Sequence, residues 1–289
     1  AASRGAVRSL LFAALFAASP PMTITPPVAL DVDAVLLDIE GTTSSIRFVT
    51  DVLFPFARKH VRAYLDAHFE RPETAEAIDL MARDLGHADR TAWFASVGIA
   101  ANDRGGANDR SAAIDRVVAE TERLMDGDVK ATGLKALQGL IWRGGFESGE
   151  LQAHVYDEVP DALRRWNRRG LDVRIYSSGS VEAQRLFFGH TIVGDLLNLF
   201  RGHYDTQIGS KRDAASYRKI AAEFGLAPER ILFVTDLGAE AIAAAEAGMR
   251  TAISLRPDNA PVDDAVPGHR IRSFDALILP DRTRGESRR

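Results

Sequence analysis

The chain has 289 residues, enough for one large domain or two modest ones, and its 46% hydrophobic and 26% charged residues are those of an ordinary globular protein. A formal net charge of -4 gives no support for a nucleic-acid or anionic-membrane surface, so neither partner is expected. The absence of cysteine excludes disulfides, thiolate metal sites and cysteine nucleophiles, and it suits a reducing, cytoplasmic setting.

The N-terminal stretch "AASRGAVRSLLFAALFAASPPM" carries two early arginines and a short apolar run, Leu10 to Ala18. It resembles a targeting segment but is too short to span a membrane. Met22 reads as the natural start, with the preceding residues as an upstream extension. Residues 1–30 are therefore set apart as an extension without fixed structure.

Next comes "AVLLD", Ala34–Asp38, an apolar run of the kind found in strands buried on both faces. From Thr50 to Gln152 the pattern changes. Helical periodicity runs through "DVLFPFARKHVRAYLDAHF", "PETAEAIDLMARDLG", "DRSAAIDRVVAETERLM" and "TGLKALQGLIW", with "AANDRGGANDR" as a polar loop. This block reads as an all-helical cap over 50–152. Trp142 and Phe146, near its end, read as core or hinge packing.

Beyond the cap, strands and helices alternate. "DEVPDALRRWNRRG" is an amphipathic helix, "VRIYSS" (Val173–Ser178) a strand, and "SVEAQRLFFG" a helix. "KRDAASYRKIAAEFG", the strand "ILFVTD" (Ile231–Asp236) and the helix "AEAIAAAEAG", closing at Gly248, follow. "TAISL" (Thr251–Leu255) is a fourth strand and "HRIRSF" a weak fifth. The alternation predicts an α/β fold with an open, mostly parallel sheet and right-handed crossovers. Its core takes 31–49 and 153–276, leaving 277–289 as a flexible tail. In such sheets the functional crevice lies beyond the carboxyl ends of the strands, so the polar strand ends converge.

Three of those ends carry chemistry. Asp38 sits where its carboxylate can act as nucleophile or metal ligand, and Glu40 lies two residues further, on the turn, free to handle protons. Alone, such a pair is more often a solvated strand end. Thr42 and Thr43 add hydroxyl and N–H donors. Ser177 and Ser178 precede a helix and suit an anion, although Ser178 or Ser180 is equally suited to cap that helix. Lys211 stands before a helix, where the dipole disfavours a cation unless an anion is bound. Asp236, with Glu240 four residues later, suits a hard cation such as Mg²⁺, while Glu240 alone is an ordinary acid of a first helical turn. No HExxH, GxSxG or GxxxxGK[ST] pattern is present.

The order of acid pair, serine strand end, lysine and acidic strand end resembles the haloacid dehalogenase superfamily, whose members share a Rossmann-like parallel sheet. The stretches "LLDIEGTTSSIRFVTDVLFPFAR", "LQGLIWRGGFESGEL", "VRIYSSGSVEAQRLFF", "YDTQIGSK" and "SYRKIA" are similar to the enolase-phosphatase (acireductone synthase) family of methionine salvage. The likeness spans roughly Asp33 to Phe274, and the glutamate of "DIEGT" is its most specific element. It implies a monomeric enzyme with one Mg²⁺ per subunit. That enzyme enolises 2,3-diketo-5-methylthiopentyl-1-phosphate, then releases phosphate to give 1,2-dihydroxy-3-keto-5-methylthiopentene. The likeness assigns Asp38 as nucleophile and metal ligand, Glu40 as acid/base and metal-site residue, and Asp236 as metal ligand. Ser177, Ser178, Thr42 and Lys211 then fall to phosphate binding, with Lys211 also catalytic. "FVTDLGAEA" departs mildly from the family pattern and leaves only a possible metal role for Glu240. Two other readings are a superfamily phosphatase for a different small phosphate ester and a non-catalytic protein that keeps the fold.

Overall fold

The computed structural model of the chain describes residues 26–99 and 107–283. The targeting-like stretch and most of the polar loop "AANDRGGANDR" lie outside them.

Six parallel strands form the sheet: β2 (Ala34–Leu37), β3 (Asp172–Tyr176), β4 (Gly202–Tyr204), β5 (Ile231–Thr235), β6 (Arg250–Ser254) and β7 (His269–Ile271). Their order is β4-β3-β2-β5-β6-β7. Strand β2 is central because it is apolar on both faces, and all four of its residues are buried. Its side chains alternate between two cores, as a period of two requires. Val35 and Leu37 enter the core that holds Trp166 of α6 (Val159–Arg168) and Phe187 and Phe188 of α7 (Val181–Gly189). Ala34 and Leu36 enter the opposite core, with Tyr217 and Ile220 of α8 (Ala214–Phe224) and Ala243 and Ala244 of α9 (Gly238–Glu246). The sheet order reverses direction between β2 and β5, so the crevice opens beyond Leu37 and Thr235.

Two margins depart from expectation. The chain joins the fold before Asp31: β1 (Val28–Ala29) pairs in parallel with β8 (Leu277–Ile278). The expected tail is likewise engaged at its start, where Leu279 is buried and Arg282 ion-pairs with Asp31 and Asp33. Residues 284–289 lie outside the described chain. Strand β4 was not anticipated, since three residues that include a glycine and a histidine carry no apolar alternation.

Between β2 and β3 the helices α1 (Phe54–His68), α2 (Pro72–Asp84), α3 (Arg90–Ser96), α4 (Ala107–Asp126) and α5 (Thr132–Ser148) pack around their own core of Leu65, Ile78, Met81, Trp93, Val117 and Leu137. A π-helical turn, Phe48–Leu53, leads into α1. Helix α5 runs past "LIW" to Ser148, where Gly149 ends it in the left-handed conformation at φ +76°. Among the described residues no helix is long and apolar enough to cross a membrane.

Candidate active site

Strand β2 delivers Asp38 into the crevice, and the turn after it is wound tightly on one carbonyl. The N–H groups of Thr42, Thr43 and Ser44 all donate to Ile39 O, at 3.2, 3.0 and 2.9 Å. Gly41 makes the turn possible: its φ is +65°, and a Cβ there would stand 2.5 Å from Asp236 Oδ2. His154 Nδ1 accepts from Ser45 N at 3.1 Å, and Arg256 donates to Thr42 O at 3.0 Å and to Glu158 at 2.7 Å. The loop is held from behind by side chains that sequence alone did not single out.

At its centre lies Lys211 Nζ, 2.7 Å from Asp38 Oδ1 and 2.8 Å from Glu240 Oε2. All three residues are buried. Asp38 Oδ1 also accepts from Ile39 N at 2.8 Å, while Oδ2 receives a long 3.5 Å contact from Thr235 Oγ1. Thr235 donates instead to Glu240 Oε2, at 2.8 Å. Burial by itself would lower the Lys211 ammonium, but Asp38 and Glu240 outweigh it and hold its pKa above the ordinary value. Glu240 thus sits against the lysine rather than as a solvated acid of a first turn. Lys211 precedes α8, whose N-cap is Asp213, accepting from Ala215 N at 2.8 Å.

Asp236, at the end of β5, is buried beside Gly41, and burial, then Asp38 and Glu240, push its pKa up to about 7. Glu240 is pushed up to about 7 by burial and by Asp38. Glu40 keeps an exposed surface yet is raised by its crowded setting and by Asp38, against the opposing charges of Lys211 and the cap residue Lys130. Three buried carboxylates with one ammonium among them leave an excess of negative charge on hard oxygen donors. Among the described residues no group of three or more His, Asp or Glu already encloses a metal position. Mg²⁺ fits that state of affairs, because it takes one or two carboxylates and completes its shell with water and phosphate oxygens.

Ser177 ends β3 and is buried; Gly179 N donates to its Oγ at 3.3 Å. Ser178 is exposed, and the cap of α7 is Ser180, which accepts from Ala183 N at 3.2 Å. The turn is fixed by Gln184, whose Nε2 donates to Gly179 O and Tyr204 O, both at 2.8 Å, and by Asp205, which accepts from Val181 N at 3.1 Å. Thr42 is fully buried, and its hydroxyl has no partner among the described residues.

Glu40, Ser177 and Gly179 open onto a cavity of about 420 Å³ between the cap and the core. Its apolar wall comes from Leu53, Leu80, Leu140, Trp142, Phe146 and Phe187. Trp142 and Phe146 therefore do more than pack, although Trp142 Nε1 is also tied to Leu53 O at 2.8 Å. Gly139, within α5, faces the same space, with nothing within 4 Å of where its Cβ would be. At the rim Arg143 of the cap pairs with Glu182 of α7.

Known proteins similar to the chain identify its family. A family model of haloacid dehalogenase-like hydrolases matches residues 32–248. The enolase-phosphatase E1 of Salmo salar is 41% identical over 245 residues, covering 85% of this chain and 93% of the relative. That of Thioalkalivibrio sulfidiphilus is 46% identical over 225 residues, with coverages of 78% and 90%. A probable bifunctional methylthioribulose-1-phosphate dehydratase/enolase-phosphatase E1 of Oryza sativa is 46% identical over 84% of this chain, which spans only 46% of that longer relative. Among solved structures, the UTR4 protein of Saccharomyces cerevisiae superposes with a TM-score of 0.66 at 29% identity, over 85% of this chain and 100% of that one. The chain belongs to the enolase-phosphatase family of the haloacid dehalogenase-like hydrolases.

Proposed function

We propose that the chain converts 2,3-diketo-5-methylthiopentyl-1-phosphate to 1,2-dihydroxy-3-keto-5-methylthiopentene and phosphate. The observation that supports this substrate is the cavity: Glu40, Ser177 and Gly179, at the strand ends, open into a chamber with an apolar wall and room for a small thioether tail.

In this reading Glu40 first takes a proton from the carbon next to the carbonyl, and the carbonyl oxygen takes one from water, giving the enol and leaving Glu40 protonated for the next step. Its place on the cavity wall supports that role. A carboxylate oxygen of Asp38 then attacks phosphorus, and the bond from phosphorus to the substrate oxygen breaks. The leaving oxygen takes a proton from Glu40, and Glu40 next takes one from the water that hydrolyses the aspartyl-phosphate. Lys211, Ser177, Ser178 and Thr42 hold the phosphate, with Lys211 opposing the charge that grows on its oxygens.

Enzymes of this family generally use Mg²⁺. Asp38, Asp236 and the turn bearing Glu40 would hold a single ion here. When bound, it neutralises phosphoryl charge. The cap excludes water from the acyl phosphate until the leaving group departs.

The test follows enol formation by absorbance, separately from phosphate release, in wild type and Glu40→Gln. Loss of both steps in the variant supports a shared acid/base. A variant that still enolises at the wild-type rate contradicts the role given to Glu40.

A further inference from the structure

Beyond β6 the chain runs through "RPDNAP", and Asn259 folds back onto the turn that follows β2. Its Nδ2 donates to Gly41 O at 2.8 Å and to Ser254 O at 2.9 Å. Those two carbonyls fix the amide, since a flipped group would set Oδ1 against two acceptors. Oδ1 therefore points the other way, where it is buried and has no partner among the described residues.

It points somewhere specific. The position a Cβ on Gly41 would take lies 2.7 Å from Asn259 Oδ1 and 2.5 Å from Asp236 Oδ2. The missing side chain leaves one space faced by both acceptor oxygens, and Asn259 Oδ1 has no donor there among the described residues. Buried acceptors of this kind are normally satisfied, and among the described residues no donor reaches Asn259 Oδ1, which leaves the place open to a bound water.

We infer that Asn259 is a positioning residue for the metal site: Oδ1 accepts a hydrogen bond from the hydration shell of Mg²⁺ held at Asp236. Through Gly41 O the same amide ties that shell to the turn carrying Glu40. The inference rests on the Mg²⁺-dependent reading above and adds a residue from a fourth strand end, which the acid and lysine pattern does not include.

The test is calorimetric titration of MgCl₂ into metal-free wild type, Asn259→Ala and Asn259→Asp, each checked for folding by circular dichroism. Asn259→Ala is expected to weaken Mg²⁺ binding roughly 10- to 100-fold, the usual effect of losing an outer-shell partner. Asn259→Asp loses both N–H donors but keeps an acceptor oxygen, so it binds Mg²⁺ at least as tightly as wild type. A merely structural clamp on Gly41 would weaken both variants alike, and that result overturns the inference. Wild-type affinity in Asn259→Ala overturns it too, leaving the metal reading intact, whereas a wild type that binds no Mg²⁺ overturns both. Asn259→Ser carries the same expectation as Asn259→Ala should the alanine variant not fold.

Discussion

Lys211 Nζ lies 2.8 Å from Glu240 Oε2, so the lysine that faces Asp38 is itself held by a second buried acid. Glu240 touches the lysine, and its own Oε2 is fixed by Thr235. Glu240→Ala therefore lowers kcat about 10- to 100-fold, the value of a hydrogen bond to a charged group, with a smaller change in KM. Glu240→Gln keeps an acceptor and recovers part of the loss. Steady-state kinetics that show equal effects in both variants, or none, count against this placement.

Gly41 has no room for a side chain. Gly41→Ala adds about 1–2 kcal/mol of left-handed strain and drives a methyl group into Asp236 and Asn259. The variant melts at a lower temperature and loses most of its phosphatase activity. Wild-type activity in Gly41→Ala would mean the turn is looser than described.

Gly139 separates cavity from stability. Leucine there improves helix propensity by about 0.8–1 kcal/mol, and nothing lies within 4 Å of the place its Cβ takes. It also fills part of the chamber. Gly139→Leu keeps or raises Tm while kcat/KM for the thioether substrate falls about tenfold or more. A phosphate ester without the apolar tail is turned over as before. Equal losses on both esters would show that the cavity does not select the tail.

His203 supplies a pH dependence remote from the acids. Burial, then the charge of Arg185, lowers it to about 4, and its Nδ1 meets Gln184 Oε1 at 3.2 Å. The unfolded chain binds this proton near pH 6.5 and the folded chain does not, so stability is lost as pH falls from about 6.5 towards 4. Thermal melts of His203→Gln show a shallower acid slope over that window. An unchanged slope removes His203 from the account.

Much of the site was legible because β2, β3 and β5 are short apolar runs that each stop on a polar residue. A parallel sheet brings such ends together, which places Asp38, Ser177 and Asp236 at one crevice before any coordinate is known. The cap of α7, which the sequence left open between Ser178 and Ser180, is Ser180, and Ser178 stays exposed at the strand end. The same rule applied to "TAISL" would have drawn attention to "RPDN", since Arg256 and Asn259 leave β6 at the same edge. The cavity was less legible. Leu80, Trp142 and Phe187 come from three helices far apart in sequence, and their helical spacing is the spacing of core residues as well. The short strands β1, β4 and β8 exist through pairing partners, and two or three residues carry no periodicity of their own.

The central claim is that Asp38 accepts phosphate from a diketo phosphate ester in a Mg²⁺-dependent reaction. Its most direct test is phosphate release from 2,3-diketo-5-methylthiopentyl-1-phosphate by wild type and Asp38→Asn, with and without Mg²⁺. Release by wild type only when Mg²⁺ is present, and none by Asp38→Asn, is the predicted result. An inert wild type in the presence of Mg²⁺, or a fully active Asp38→Asn, would contradict it.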